Sequence, residues 1–249
     1  MDARRGTRAV LSDTLHVVAE TGSTNADLIG LARAGAVEGT WLRAERQTAG
    51  RGRQGRAWAS PGGNLYASTL VRLRPGDPPA ATLALVAAVA LHGTLHAHGL
   101  HDASLKWPND VLVGSAKLAG ILLERVADAV VIGIGVNVAS QPDLPDRATT
   151  SLAMQGIAAD PAVLLETLRD DMARWLRRWR GEGLPAIREA WLARAHPPGT
   201  ALRAHDGNGA PLEGLFAGLA HDGALILRLA DGTTHVMHAG DIHLLSPRE

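Results

Sequence analysis

The chain contains no cysteine. That absence removes disulfides, thiolate metal sites and any cysteine nucleophile together. It also lacks an excess of charge of either sign, with 25 Lys plus Arg against 25 Asp plus Glu. No global field draws it onto nucleic acid or an anionic membrane, so neither DNA nor a membrane is an expected partner. Residues 1–15 are basic but broken by Asp2, Thr7, Ser12 and Asp13, and they lack the apolar centre of a signal peptide. No stretch is read as reaching membrane-spanning length free of charge, and the cytosol is the expected compartment. What is present fits a folded globular chain: 249 residues, 46% apolar and 20% charged, enough for one large domain with a small appendage.

The apolar pattern places a strand at residues 15–20 and a helix opening near Thr24, where Thr24-x-x-Asp27 has the spacing of a capping box. Further strands are expected at 41–45 and 64–73, with a loop at 46–63 too long for a simple connector. An apolar helix should cover 80–98. Short runs at 104–107, 111–113, 117–124 and 129–138 are separated by turns too short for parallel crossovers, which predicts an antiparallel meander. Residues 161–179 read as an amphipathic helix with Val163, Leu164, Leu168, Met172, Trp175 and Leu176 on one side, and 184–195 as another helix. His196-Pro197-Pro198-Gly199 breaks the pattern and divides the chain into 1–198 and 199–249. Beyond it, turns at Asp206-Gly207, His221-Asp222-Gly223 and Asp231-Gly232 have the rhythm of a small β-barrel.

The most informative segment is Gly50-Arg51-Gly52-Arg53-Gln54-Gly55-Arg56-Ala57-Trp58. Glycine lets a backbone approach a ligand, and arginine forks match carboxylate or phosphate oxygens. Such a loop is costly to order alone, so order is expected to follow binding of an anion. From composition, a solvated basic loop or a nucleic-acid contact remains open. Extended from Ala44 to Pro61, however, the run resembles the biotin-binding loop of biotin protein ligases. Thr21-Gly22-Ser23-Thr24-Asn25, Lys106-Trp107-Pro108-Asn109-Asp110, Lys117-Leu118-Ala119-Gly120 and Gly133-Ile134-Gly135-Val136-Asn137 resemble further motifs of that family. Read alone, these are respectively a helix cap, a turn, a lysine reaching for water and a strand with a bulge.

The resemblance covers about residues 15–138 densely and the remainder weakly. It implies an α+β fold: a mixed, largely antiparallel sheet flanked by helices, akin to class II synthetases, with a small C-terminal SH3-like β-barrel. It implies biotin and ATP as substrates with Mg2+, a biotinyl-adenylate intermediate, and a biotin carboxyl carrier protein as acceptor, in a chain that can form a homodimer. It assigns Ser23, Thr24, Asn25, Gln47, Gly50, Arg51, Gly52, Arg53 and Lys117 to biotin. Arg53, Arg56, Trp58, Lys106, Asn109, Asp110, Lys117 and Asn137 fall to the nucleotide, and Asp110 to magnesium. Lys117, Arg53 and Arg51 are the catalytic cations, with Trp58 as an apolar lid. Only about 14 residues precede the first strand, so no DNA-binding repressor role is expected. The strand near 241–245 lacks the basic residue some relatives bring to the nucleotide. A lipoate-type ligase of the same fold, or a non-enzymatic nucleic-acid module, is the alternative.

Overall fold

The structure, a computed structural model, describes residues 14–145, 147–205 and 211–245. The N-terminal segment 1–13 and the turn expected at Asp206-Gly207 lie outside the described residues. Seven strands form one sheet in the order β1-β2-β3-β7-β6-β5-β4. They are β1 (Leu15–Thr21), β2 (Trp41–Gln47), β3 (Leu65–Arg72), β4 (Ala103–Lys106), β5 (Asp110–Val113), β6 (Ala116–Val126) and β7 (Ala129–Val136). Only β1 and β2 pair in parallel, joined by helix α1 (Thr24–Arg33), and every later pairing is antiparallel. The expected meander is present because three-residue and shorter links can only reverse the chain.

Strand alternation divides the core between two faces. On β7, Val130, Ile132, Ile134 and Val136 enter the large cluster beneath α2 (Leu83–Ala97), α3 (Pro161–Glu182) and α4 (Leu184–Leu192). Val131 instead joins Leu28, Ala32, Leu42 and Leu70 under α1. By the same period of two, Gly133 and Gly135 fall on the α1 face, where the absence of side chains leaves room.

Residues 80–97 form a run long and apolar enough to cross a membrane by length and composition, which corrects the expectation that no such charge-free stretch exists. Its composition is explained by position: α2 is the central helix, with Leu83, Val86, Ala87, Val89, Ala90, Leu91 and Leu95 all fully buried. Helix α3 begins where Asp160 accepts from Ala162 N at 2.7 Å, with Pro161 in its first turn. Its buried line is Leu164, Leu165, Leu168, Met172, Trp175 and Trp179. Val163, expected on that line, is 50% exposed, because one residue's rotation of about 100° takes it off the stripe. The capping box at Thr24 is also not formed. Ser23 is the N-cap, and the Asp27 carboxylate takes the Thr21 hydroxyl instead.

A five-stranded antiparallel sheet follows, β8 (Ala201–His205), β9 (Leu212–Leu219), β10 (Leu225–Arg228), β11 (Thr234–Met237) and β12 (Asp241–Leu244), in the order β11-β10-β9-β8-β12. Its turns use local side-chain bonds, Asp222 to Ala224 N and Asp231 to Thr233 N. It joins the first sheet through a continuous core. His196, 6% exposed, sits edge-on to Phe216 with ring centroids 4.3 Å apart, and Phe216 meets Trp191.

Burial, aided by the Lys106 ammonium, pushes the His196 imidazole down to about 4. A histidine depressed in the folded state binds its proton more readily when unfolded. This contribution to stability is therefore complete above pH 6.5 and is lost as pH falls toward 4. It amounts to on the order of 3 kcal/mol. Urea midpoints at pH 7 and pH 5 should converge in His196→Phe relative to the parent; an unchanged difference would show that another group sets the acid lability.

Candidate active site

The α1 face of the large sheet carries a cleft of about 280 Å³ between β6, β7, the 50–58 segment and the start of β12. The 50–58 segment is a small hairpin rather than an irregular loop. Trp58 N donates to Gly50 O (2.9 Å), Gly52 N donates to Arg56 O (2.7 Å), and Arg51 bridges to Ala57. A Cβ at residue 50 would lie 2.5 Å from the Trp58 carbonyl and 2.6 Å from Ser60 Oγ, so only glycine allows the hairpin base to close. At the tip, Gln54 and Gly55 both take positive φ.

This hairpin lays Trp58 down on the strands rather than capping the cleft from outside. Gly120 and Gly135 are register partners on β6 and β7, and Cβ atoms there would meet the indole at 3.0 and 2.7 Å. The glycine pair makes the flat floor on which the ring rests. Gly135→Ala should therefore expel the ring or shift the strand, an overpacking cost of about 1–3 kcal/mol. The expected readout is a red-shifted Trp58 emission, measured in a variant whose other five tryptophans are replaced; an unshifted spectrum would mean that the ring does not depend on this floor.

Lys117 does not reach for bulk water. Its Nζ lies 2.6 Å from Asp110 Oδ1 and 5.3 Å from the Trp58 ring centroid. Lys106 Nζ approaches the other Asp110 oxygen at 3.2 Å and donates to Ile242 O at 2.8 Å. Burial works against ionisation of Asp110, but the two ammonium groups overcome it and hold its carboxyl below the ordinary carboxylate range. For Lys117, burial outweighs Asp110 and holds the ammonium below the ordinary lysine range.

That pairing also tests the magnesium assignment. Asp110 is 5% exposed and already faces two cations, and the described residues contain no group of three acidic or histidine ligands. A carboxylate neutralised in this way does not fit an open magnesium ligand. Asp110 is instead the counter-ion that positions two lysines.

The arginines are equally engaged. Arg53 Nη1 reaches Gly240 O (3.0 Å), Asp241 Oδ1 (3.2 Å) and Asn109 Oδ1 (3.5 Å). Arg56 Nη2 spans both Asp241 oxygens at 3.0 and 2.9 Å. Burial lowers the Arg53 guanidinium somewhat against the pull of Asp241. Arg51, itself exposed, meets the half-buried Glu124 at 3.8 Å, a long contact of little energetic weight. Arginines folded inward onto one carboxylate do not present the open basic stripe that a nucleic-acid strand needs.

Of the residues expected at the site, Thr24, Gln47, Arg51, Gly52, Arg53, Arg56, Trp58, Lys106, Asn109, Asp110 and Lys117 line the cleft. Gln47 Oε1 accepts from Thr24 N (2.9 Å) and Thr24 Oγ1 (3.2 Å), while its Nε2 donates to Ser60. Asn109 Nδ2 donates to Ile121 O at 2.7 Å and so ties the turn to β6.

Ser23, Asn25, Gly50 and Asn137 do not line it. Asn25 lies beneath Gly133, accepting from Ser68 Oγ (2.6 Å) and donating to Glu124 Oε2 (2.8 Å). Asn137 spends its amide on Thr150 O (3.0 Å), fastening the end of β7 to the 149–152 segment rather than meeting a nucleotide. Sequence reasoning missed Tyr66, Leu144, Arg147, Asp241 and His243, which also line the cleft. Tyr66, the sole tyrosine, follows a strand start and could have been flagged by alternation; the others carry no local signal. In total, six cationic side chains face two carboxylates, an arrangement suited to a ligand with several negative charges.

Comparison with known proteins agrees with this geometry. Residues 23–137 match the biotin/lipoate A/B protein ligase family, and residues 203–245 match the biotin protein ligase C terminal domain. The chain is similar to the biotin–[acetyl-CoA-carboxylase] ligase of Paracoccus denitrificans, 42% identical over 85% of this chain and 93% of that protein. It is 38% identical to the Mycobacterium tuberculosis protein of the same name, over 92% and 88% of the two chains. Among solved structures it is similar to the biotin protein ligase from Aquifex aeolicus in complex with biotin and ATP, with a TM-score of 0.82 at 26% identity over 93% of this chain and 99% of that one. Matched along nearly its whole length in sequence and fold, the chain belongs to the biotin protein ligase family.

Proposed function

We propose that this cleft joins biotin to ATP and passes the activated acyl group to a lysine of a biotin carboxyl carrier protein. The observation that carries the reading is the Lys117–Asp110–Lys106 cluster facing the arginine hairpin across a glycine floor. A biotin carboxylate is a poor electrophile. Its oxygen attacks the α-phosphorus, the bond from that phosphorus to the bridging oxygen breaks, and pyrophosphate leaves with the electron pair. Lys117 and Arg53 neutralise charge gathering on the phosphoryl oxygens, with Arg51 at the rim. The acceptor amine then attacks the acyl carbon of the mixed anhydride, AMP leaves, and the amine proton passes to solvent. The hairpin shields the anhydride from water between the two steps, with the Trp58 ring as an apolar surface on the cleft floor.

Thr24, Gln47 and Gly52 form the biotin end, and Arg56, Lys106 and Asn109 the nucleotide end, with Ser23, Asn25 and Gly50 supporting the first from behind. We set the boundary between the catalytic unit and the C-terminal sheet at 198/199. We also read the chain as a cytoplasmic enzyme, without a DNA partner, able to form a homodimer.

The test is exchange of labelled pyrophosphate into ATP with biotin, with lipoate and with neither acid. Biotin-dependent exchange is expected. Exchange with lipoate alone would transfer the assignment to a lipoate-type ligase, and exchange with neither acid would refute acid activation.

A further inference from the structure

We propose that Asp241 is a positioning residue that holds the arginine hairpin closed across the cleft, acting through Arg53 and Arg56. The inference rests on the proposed reaction for its consequence, but its structural part does not.

Asp241 opens β12 and so belongs to the C-terminal sheet, while the hairpin belongs to the large one. Among the residues lining the cleft, the only other carboxylate is Asp110, which is committed to two lysines. Asp241 takes both remaining cationic partners that the hairpin turns inward. The Arg56 contacts at 2.9 and 3.0 Å occupy both of its oxygens, and Arg53 adds a third at 3.2 Å. The side chains of Arg53 and Asp241 are each 23% exposed, so that pair is screened less than an ordinary surface pair, while Arg56 reaches Asp241 from the exposed rim.

The adjacent backbone completes the grip. Gly240 O accepts from Arg53 at 3.0 Å and Ile242 O from Lys106 at 2.8 Å. Gly240 has φ +145, and a Cβ there would lie 2.3 Å from His205 O, so the carbonyl is presented by a conformation only glycine can hold.

Arg53 uses Nη1 for these acceptors and leaves its Nε and Nη2 edge without a partner among the described residues. One edge of the guanidinium is therefore fixed to the C-terminal sheet while the other is available to an anionic ligand. The C-terminal sheet thereby sets the orientation of a cation whose backbone it never joins. It also supplies the closing force on the hairpin that covers the reactive intermediate.

Two measurements on the full chain test this. Limited trypsin digestion after Arg51, Arg53 and Arg56 reads hairpin opening without any substrate; Asp241→Asn should be cut about tenfold faster there than the parent, and Asp241→Glu within about twofold of it. An unchanged cleavage rate in a folded Asp241→Asn protein would overturn the proposal, and Arg56→Gln should reproduce the effect if Asp241→Asn folds poorly.

In single turnover with biotin and ATP, Asp241→Asn should release adenylate about tenfold faster and also form it more slowly, because Arg53 loses the partner that orients it. It should have no further effect in an Arg53→Ala, Arg56→Ala background; effects that multiply there would mean that Asp241 acts by another route. A parent protein that makes no adenylate yet shows the trypsin difference would overturn the biotin reading alone.

Discussion

Lys117→Met is expected to reduce biotin-dependent pyrophosphate exchange by about 100- to 1000-fold. The methionine keeps the apolar stem against Trp58 but removes the ammonium that sits 2.6 Å from Asp110 and faces the cleft. Losing one preorganised donor to a developing oxyanion costs about 3–4 kcal/mol, which is this range of rate. Chemistry rather than binding should suffer, so the biotin Kd should change far less than kcat.

The same residue predicts a pH effect. Burial holds the Lys117 ammonium below the ordinary lysine range, and the protonated form is the active one. Exchange should therefore fall as pH rises, on an alkaline limb lower than an unperturbed lysine would give, and Lys117→Met should lack that limb. A variant with near-parental exchange would remove Lys117 from the chemistry.

Arg53→Gly is expected to shorten the lifetime of the bound adenylate by roughly 10- to 100-fold. It deletes the charge-assisted contacts with Asp241 and Gly240 and the longer one with Asn109. Hydrogen bonds to charged groups contribute about 1.5–3 kcal/mol, and the conformational freedom of a fourth glycine in the hairpin adds to the loss. Freed adenylate would acylate exposed lysines indiscriminately. Mass spectrometry of a bystander protein such as serum albumin reads this directly: many biotinylated lysines with the variant and few with the parent. Retention of the intermediate at the parental rate would refute the shielding role of the hairpin.

Much of the architecture could be read from residues near each other in the chain. Links of two or three residues at 107–109, 114–115 and 127–128 leave no way to connect strands except by reversal, so the antiparallel order of β4 to β7 followed. The helix over 161–179 followed from its apolar stripe, of which Leu164, Leu168, Met172 and Trp175 are buried. The glycine–arginine run and the motifs after it identified most of the cleft lining, because a backbone that must approach a ligand and a cation that must meet an anion leave compositional traces.

Polar motif residues were less transparent. Asn25 and Asn137 have the chemistry of ligand contacts, yet both face protein. Whether a carboxamide meets a ligand or a buried carbonyl depends on which strand lies opposite it, and Ser68, Glu124 and Thr150 lie 43, 99 and 13 residues away.

By itself, then, the sequence determined the family, the meander and the cationic character of the site, all properties of residue type and local spacing. Tertiary structure alone decided how those charges are spent. Asp110 became a counter-ion rather than a metal ligand because β6 carries Lys117 alongside it. Asp241, 185 residues beyond Arg56, became the hairpin's partner because the C-terminal sheet packs its edge against the cleft. Electrostatic pairing depends on distance in space and on exclusion of water, and neither is encoded in distance along the chain.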